Sequence, residues 1–196
     1  MTVHPDFIDS INRIVRLTEA EASAMLPLLT TCECQKDQHL TQQGETENYL
    51  YFITEGCIRN YTIHDGEEYS LDFYFTGNFT TSYMSFLLRE PSTVNVQAMI
   101  PSKVIRIHYD DVQLLYSKYK IMERLGRLLT ESSYVRRTRR EFSFITQTAE
   151  ERYLALMASH SQIIQDIPQK HIASYLGIKA ESLSRIRRAL AKKKIQ

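Results

Sequence analysis

At 196 residues and 22.9 kDa the chain allows one large domain or two small ones. With 43% hydrophobic and 24% charged residues it has the make-up of a globular protein, which excludes disorder along its whole length. Three cysteines exclude a fold held by a disulfide framework, and the net charge of +1 hides a gradient. Residues 1–109 carry 7 Lys/Arg against 14 Asp/Glu, residues 110–167 carry 9 against 8, and residues 168–196 carry 8 against 1. A C-terminal segment of net +7 on an acidic chain is the footprint expected for a polyanion partner, with a solvated basic tail as the alternative. No apolar run approaches the roughly 18 residues of a membrane helix. The N-terminus, through Asp6, Asp9, Arg13 and Arg16, reads as a polar helix without a signal-peptide core. A cytoplasmic protein with no membrane partner is therefore expected, and an odd cysteine count fits a reducing compartment.

Residues 5–30 carry a helical stripe of Phe7, Ile8, Ile11, Ile14, Val15 and Leu17. Glycines then stand at 44, 56, 66 and 77, and β-like runs lie between them at 48–54, 57–63 and 69–75. In the last run, alternation places Tyr69, Leu71, Phe73 and Phe75 on one face and Ser70 and Asp72 on the other. Asp65-Gly66 is a hairpin signal, and runs 93–100 and 103–108 follow around Pro101. Short strands at this spacing predict an antiparallel sandwich, barrel or roll over residues 1–109. Eleven of the 20 Tyr and Phe residues fall between Tyr49 and Phe86, enough either to fill a small barrel or to line a ligand cavity.

From Asp110 the period becomes helical, with Asp110 and Asp111 placed to cap the start. Ile121, Leu125, Leu128, Ser132 and Val135 succeed one another at spacings of 4, 3, 4 and 3, a heptad seam that predicts a homodimer along a helix spanning 110–145. Arg136, Arg137, Arg139 and Arg140 at its end are expected to form a solvated hinge face.

The most informative stretch is QKHIASYLGIKAESLSRIRR, residues 169–188 within a C-terminal unit of 146–196. A helix-turn-helix needs a small residue at the helix crossing, a glycine able to take positive φ in the turn, and apolar residues locking both helices. Ala173, Gly177 and the set Ile172, Leu176, Ile178, Leu183 and Ile186 meet those needs. The outward positions of the second helix are then Lys179, Ala180, Glu181, Ser184, Arg185 and Arg188. With these motifs on the page, the whole chain resembles the Crp/Fnr superfamily of bacterial transcription regulators. The resemblance implies an α+β chain: an N-terminal antiparallel β-roll of the cyclic-nucleotide-binding type, a long dimerisation helix and a C-terminal helix-turn-helix. It also implies double-stranded DNA and RNA polymerase as partners, a near-palindromic site, and no enzymatic activity. Glu181, Ser184 and Arg185 match the E-x-x-S-R core of the Fnr-like version and would reach base edges: Arg185 can bond G at O6 and N7, and Glu181 can accept from C N4. Gln169 and Lys170, on the first helix, would hold phosphates. The competing class is a β-roll enzyme or small-molecule carrier whose helical tail serves assembly.

Departures from the family pattern are as informative. The resemblance implies a β-hairpin wing after the recognition helix, and the residues up to Gln196 leave almost none. Lys179 stands where a serine or threonine often caps, so a loosely held helix start is expected. In cyclic-nucleotide-binding members a glutamate meets the ribose and an Arg-Ser pair meets the cyclic phosphate. Counted from Gly77, those places hold Ser82, Ser92 and Thr93, and cyclic AMP is not expected as the ligand. Arg89 is the nearest substitute cation, and Tyr74, Phe79, Tyr83 and Phe86 complete a candidate pocket for an unidentified, apolar or aromatic effector. Cys32, Cys34 and Cys57 are too few for a four-cysteine iron–sulfur cluster. His4, His39, His64, His108, His160 and His171 show no ligand spacing, so neither metal nor cofactor is expected.

Overall fold

The computed structural model describes residues 5–193, and within them the side chains of residues 7–159 and 165–192. Asp6, His4, His160 and the last residues up to Gln196, all used in the sequence analysis, lie outside those described side chains. The stripe expected as one helix over 5–30 is two: α1 (Pro5–Asn12) and α2 (Glu19–Met25), followed by a single 3-10 turn at Leu26–Leu28. The break is a capping box, in which the Thr18 hydroxyl accepts from the Glu21 N–H while the Glu21 carboxylate accepts from the Thr18 N–H.

The β-roll comprises β1 (Leu29–Cys34), β2 (His39–Thr41), β3 (Tyr49–Glu55), β4 (Cys57–His64), β5 (Glu67–Phe75), β6 (Phe79–Thr80), β7 (Asn95–Ala98) and β8 (Ser102–His108), with α3 (Tyr83–Leu88) between β6 and β7. Two four-stranded sheets, ordered β1-β8-β3-β6 and β2-β7-β4-β5, pair antiparallel throughout. Tyr51, Ile53, Ile58, Tyr74, Val96 and Val104 fill the space between them. In β5 the expected single face is interrupted. Asn60 pairs with Asp72 while Tyr61 pairs with Ser70, so Leu71 is an extra, bulged residue. Alternation restarts across it, leaving Tyr69 exposed and turning Ser70 inward to a buried position.

The helix expected over 110–145 is likewise two, α4 (Tyr109–Lys118) and α5 (Lys120–Thr146), broken where Tyr119 takes an extended backbone. Gly126 permits the fold-back, because a Cβ there would collide with the Tyr116 hydroxyl. The N-cap of α4 is His108, whose Nδ1 accepts from the Asp110 N–H, while Asp110 and Asp111 sit in the first turn and complement the dipole. Met122 and Leu125 of α5 then join Phe7, Ile11, Phe52, Ile105 and Val112 in one core beneath α1 and α2. The remaining elements are α6 (Ala149–Asp166), α7 (Gln169–Leu176) and α8 (Ala180–Lys193).

Candidate nucleic-acid interface and roll interior

The turn between α7 and α8 is built around Gly177, which has φ +69° and caps α7. Ile172, Ala173, Leu176 and Leu183 are fully buried, and Ile178 and Ile186 pack against them, so the lock expected from the sequence is the observed one. On the opposite face Gln169, Lys170, Lys179, Glu181, Arg185 and Arg188 are exposed together. Ser184 is half-buried and donates to Gln169 Oε1 at 3.2 Å, tying the second helix to the start of the first. Arg185 leans on the Ser182 hydroxyl, and the main-chain carbonyl of Lys179 receives the N–H groups of Ser182 and Leu183. Arg187, unremarkable in the sequence, is an anchor: its Nε donates to the Tyr153 hydroxyl of α6 at 2.9 Å.

This unit is seated on the roll through the open edge of β5. An edge strand leaves N–H and C=O groups unpaired, and these must be covered. Here the Ser174 hydroxyl accepts from the Ser70 N–H and donates to the Glu68 carbonyl, while Arg140 of α5 donates to the carbonyls of Ser70 and Tyr175. Beneath the contact lies Arg59, 0% exposed, bonded to Glu68 at 2.7 Å and to Ser70 Oγ at 2.8 Å, with its guanidinium over the Tyr61 ring. His171 of α7 faces the same Glu68 at 3.6 Å. Burial, with the Arg59 charge second, pulls its imidazole down to about 4.

The arginines expected on a solvated hinge are divided. Arg137 and Arg139 are exposed, whereas Arg136 pairs with Asp72 at 3.3 Å and lies over the Tyr74 ring. Arg140 stacks on Phe144 and Tyr175. The seam residues are divided in the same way. Leu125 is buried in its own chain's core, and Ile121 and Leu128 pack against that core. The exposed apolar positions of α5 lie further along, at Tyr134, Val135, Phe142, Phe144 and Ile145, with Ser132 exposed at the margin.

Inside the roll, Ser82 and Ser92 do come together. Their hydroxyls bond at 2.7 Å, at 2% and 3% exposure, and Ser92 also donates to the Val94 carbonyl. Next to them is a carboxylate that no periodicity disclosed, Glu47, at 1% exposure. It accepts from the Thr41 hydroxyl (2.7 Å), the Tyr51 hydroxyl (3.1 Å) and the N–H groups of Tyr49 and Ser82. Burial raises its pKa. The other candidate effector residues are dispersed. Phe79 and Phe86 belong to the core beneath α1, Tyr74 is packed between the sheets, and the Tyr83 hydroxyl meets Ser133 of α5. Arg89 caps α3 in a left-handed conformation, donates to the Glu47 carbonyl and Asn48, and stacks on Tyr109. Thr93 offers its carbonyl to the Thr62 hydroxyl. Among the described residues, no group of three or more His, Cys, Asp or Glu side chains is placed to hold a metal. Cys32 and Cys34 are free thiols 3.9 Å apart, and burial pushes the Cys34 thiol up to about 12.

The fold and these sites define a class: a cyclic-nucleotide-binding-type roll carrying a helix-turn-helix. Comparison with known proteins agrees. Residues 31–119 match the family of the cyclic nucleotide-binding domain. The chain is 27% identical over 165 residues to the anaerobic regulatory protein of Haemophilus influenzae and 29% identical to that of Pasteurella multocida. Each alignment covers 78% of this chain and 63% or 59% of the relative, so the chain spans about three fifths of the length of these relatives. Among solved structures, FixK2 from Bradyrhizobium japonicum is similar with a TM-score of 0.74 at 18% identity, over 85% of this chain and 86% of that one. A Crp/Fnr-family chain from Eubacterium rectale gives 0.73 at 16% identity, over 97% and 88%. In fold the chain is similar to these Crp/Fnr-type structures, and residues 31–119 carry the sequence of a cyclic nucleotide-binding domain.

Proposed function

We propose that the protein is a sequence-specific DNA-binding transcription regulator that acts as a homodimer. The observation that carries this is the exposed face of α8, where Glu181, Arg185 and Arg188 lie outside the apolar cluster that locks the helix. Its neighbours Gln169, Lys170 and Lys179 supply hydrogen-bond donors for flanking phosphates. The N-terminal half of the α5 seam is spent on the chain's own core, so the dimer contact falls to Val135, Phe142 and the apolar residues around them. RNA polymerase is the further partner this function implies. Within the roll, Ser82 and Ser92 satisfy each other and Glu47 adds a buried carboxylate, an environment that rejects a cyclic phosphate.

The test is selection of bound sites from random duplexes. Two helices related by a dimer axis should recover near-palindromes with half-site centres about 34 Å apart. Arg185→Ala should relax one base pair in each half-site at a cost of about 1–3 kcal/mol. Lys170→Ala should weaken all sequences alike and flatten the salt dependence. Recovered sites without two-fold symmetry would refute the dimeric function.

A further inference from the structure

The junction between the roll and the DNA-binding unit encloses a cleft of about 270 Å³, bounded by β5, the end of α5, the start of α6 and the end of α7. Its composition is unlike that of a structural gap. Arg136, Arg139, Arg140 and Arg152 line it, and Asp72 is the one acid among its described lining residues. Asp72 is engaged by Arg136. Arg140 donates to the carbonyls of Ser70 and Tyr175 and meets the Tyr175 side chain, and Arg152 donates to the carbonyls of Ser143, Gln147 and Leu176. Both guanidiniums lie over the single ring of Phe144, each 4.7 Å from its centre. The Nε of each is buried and has no hydrogen-bond partner among the described residues. Two guanidiniums share one ring, and the one nearby acid, Asp72, is already paired with Arg136, so the cluster is short of negative charge. Phe73, Phe144 and Tyr175 give the remaining wall aromatic surface, beside the polar Asn78, Ser143, Gln147 and Ser159.

From this geometry we infer that the cleft is a binding site for a small anion with a flat aromatic body, held by the arginines at its head and by the rings along its face. Guanidinium forks match carboxylate and phosphate oxygens, and aromatic walls match a planar ring. Two sources share that chemistry, an aromatic carboxylate and a purine mononucleotide. The site itself is independent of the proposed function; only its consequence rests on it. An occupant would touch α5, α6 and α7 together and so set how the DNA-binding unit sits on the roll.

The experiment is calorimetry on the full chain without DNA, using 2-naphthoate, guanosine 5′-monophosphate and inorganic phosphate as probes. Saturable binding of naphthoate assigns the site to aromatic carboxylates, and that of the nucleotide assigns it to mononucleotides; either supports the site. Inorganic phosphate should bind at least tenfold more weakly. Arg140→Gln should weaken binding at least tenfold. Because Arg140 also caps α7, the exposed Arg139→Gln and the ring variant Phe144→Leu are the parallel tests, each expected to weaken binding several-fold with the fold retained by circular dichroism. No binding of either aromatic probe, affinity for phosphate equal to theirs, or binding unchanged in Arg139→Gln and Phe144→Leu would overturn the site. Each of those results would leave site-specific DNA binding untouched, so the two failures are separable.

Discussion

Gly177→Ala tests the joint between α7 and α8. Two costs are separable there. The residue sits at φ +69°, where a side chain costs roughly 1–2 kcal/mol. The added Cβ would also stand 2.7 Å from Cε1 of Phe144. That ring cannot slide away freely, because Arg140 and Arg152 both lie over it. Forcing it aside is an overpacking cost of about 1–2 kcal/mol. Gly177→Ala should therefore destabilise the α7–α8 unit by about 2–4 kcal/mol. In a Phe144→Leu background the clash is relieved and only the backbone cost, about 1–2 kcal/mol, remains. The assay is hydrogen exchange of the α7 and α8 amides across the four proteins of the cycle, with calorimetric melting alongside. Equal cost in both backgrounds would show that the ring does not set the glycine, and a cost under about 0.5 kcal/mol would dismiss the left-handed turn as a requirement.

Other outcomes follow from the same contacts. His171 titrates near 4 when folded and near 6.5 when unfolded, so it stabilises above pH 6.5 and that stability is lost as pH falls toward 4, by about 2–3 kcal/mol. A His171→Leu variant whose acid melting curve matches the parent's would contradict this. Leu125→Ala should cost about 2–5 kcal/mol by opening a core cavity, while Val135→Glu with Phe142→Glu should give monomers by light scattering without opening that core. Monomers from Leu125→Ala at full stability would return the seam to the dimer contact. Calorimetry with cyclic AMP should give no saturable heat, and micromolar binding within the roll would defeat the assignment of Ser82 and Ser92 as a closed pair.

Where local sequence and global packing agree, the chain was legible. The helix-turn-helix was readable residue by residue because its requirements are local: a left-handed glycine at 177, a small residue at 173, and apolar spacing around them. The strands of the roll were readable from glycine spacing, although β1, β2 and the short β6 passed unseen inside helical or irregular-looking sequence. The failures share a cause. The break at Tyr119 carries no proline or glycine and depends on Tyr116 lodging against Gly126, a tertiary contact. The seam at Leu125 satisfied a heptad, but the same spacing serves a helix leaning on its own core. Glu47, Ser174 and Arg152 were missed because a lone polar residue declares its role only through the partners that folding brings to it.

The bulge at Leu71 gives one residue authority over a whole domain. By restarting the alternation of β5 it directs the main chain of Ser70 and Glu68 outward, and those groups are the rail on which Ser174 and Arg140 ride. The seating of α7 and α8 is thus set by a strand's register as well as by the side chains of Ser174 and Arg140 that hold it. An insertion or deletion at this spot would preserve the composition of both units and still shift α7 and α8 on the roll, whereas most side-chain replacements at 71 would leave their seating intact. On the proposed function, a single-residue slip in this hairpin would shift half-site geometry without changing any residue of α8.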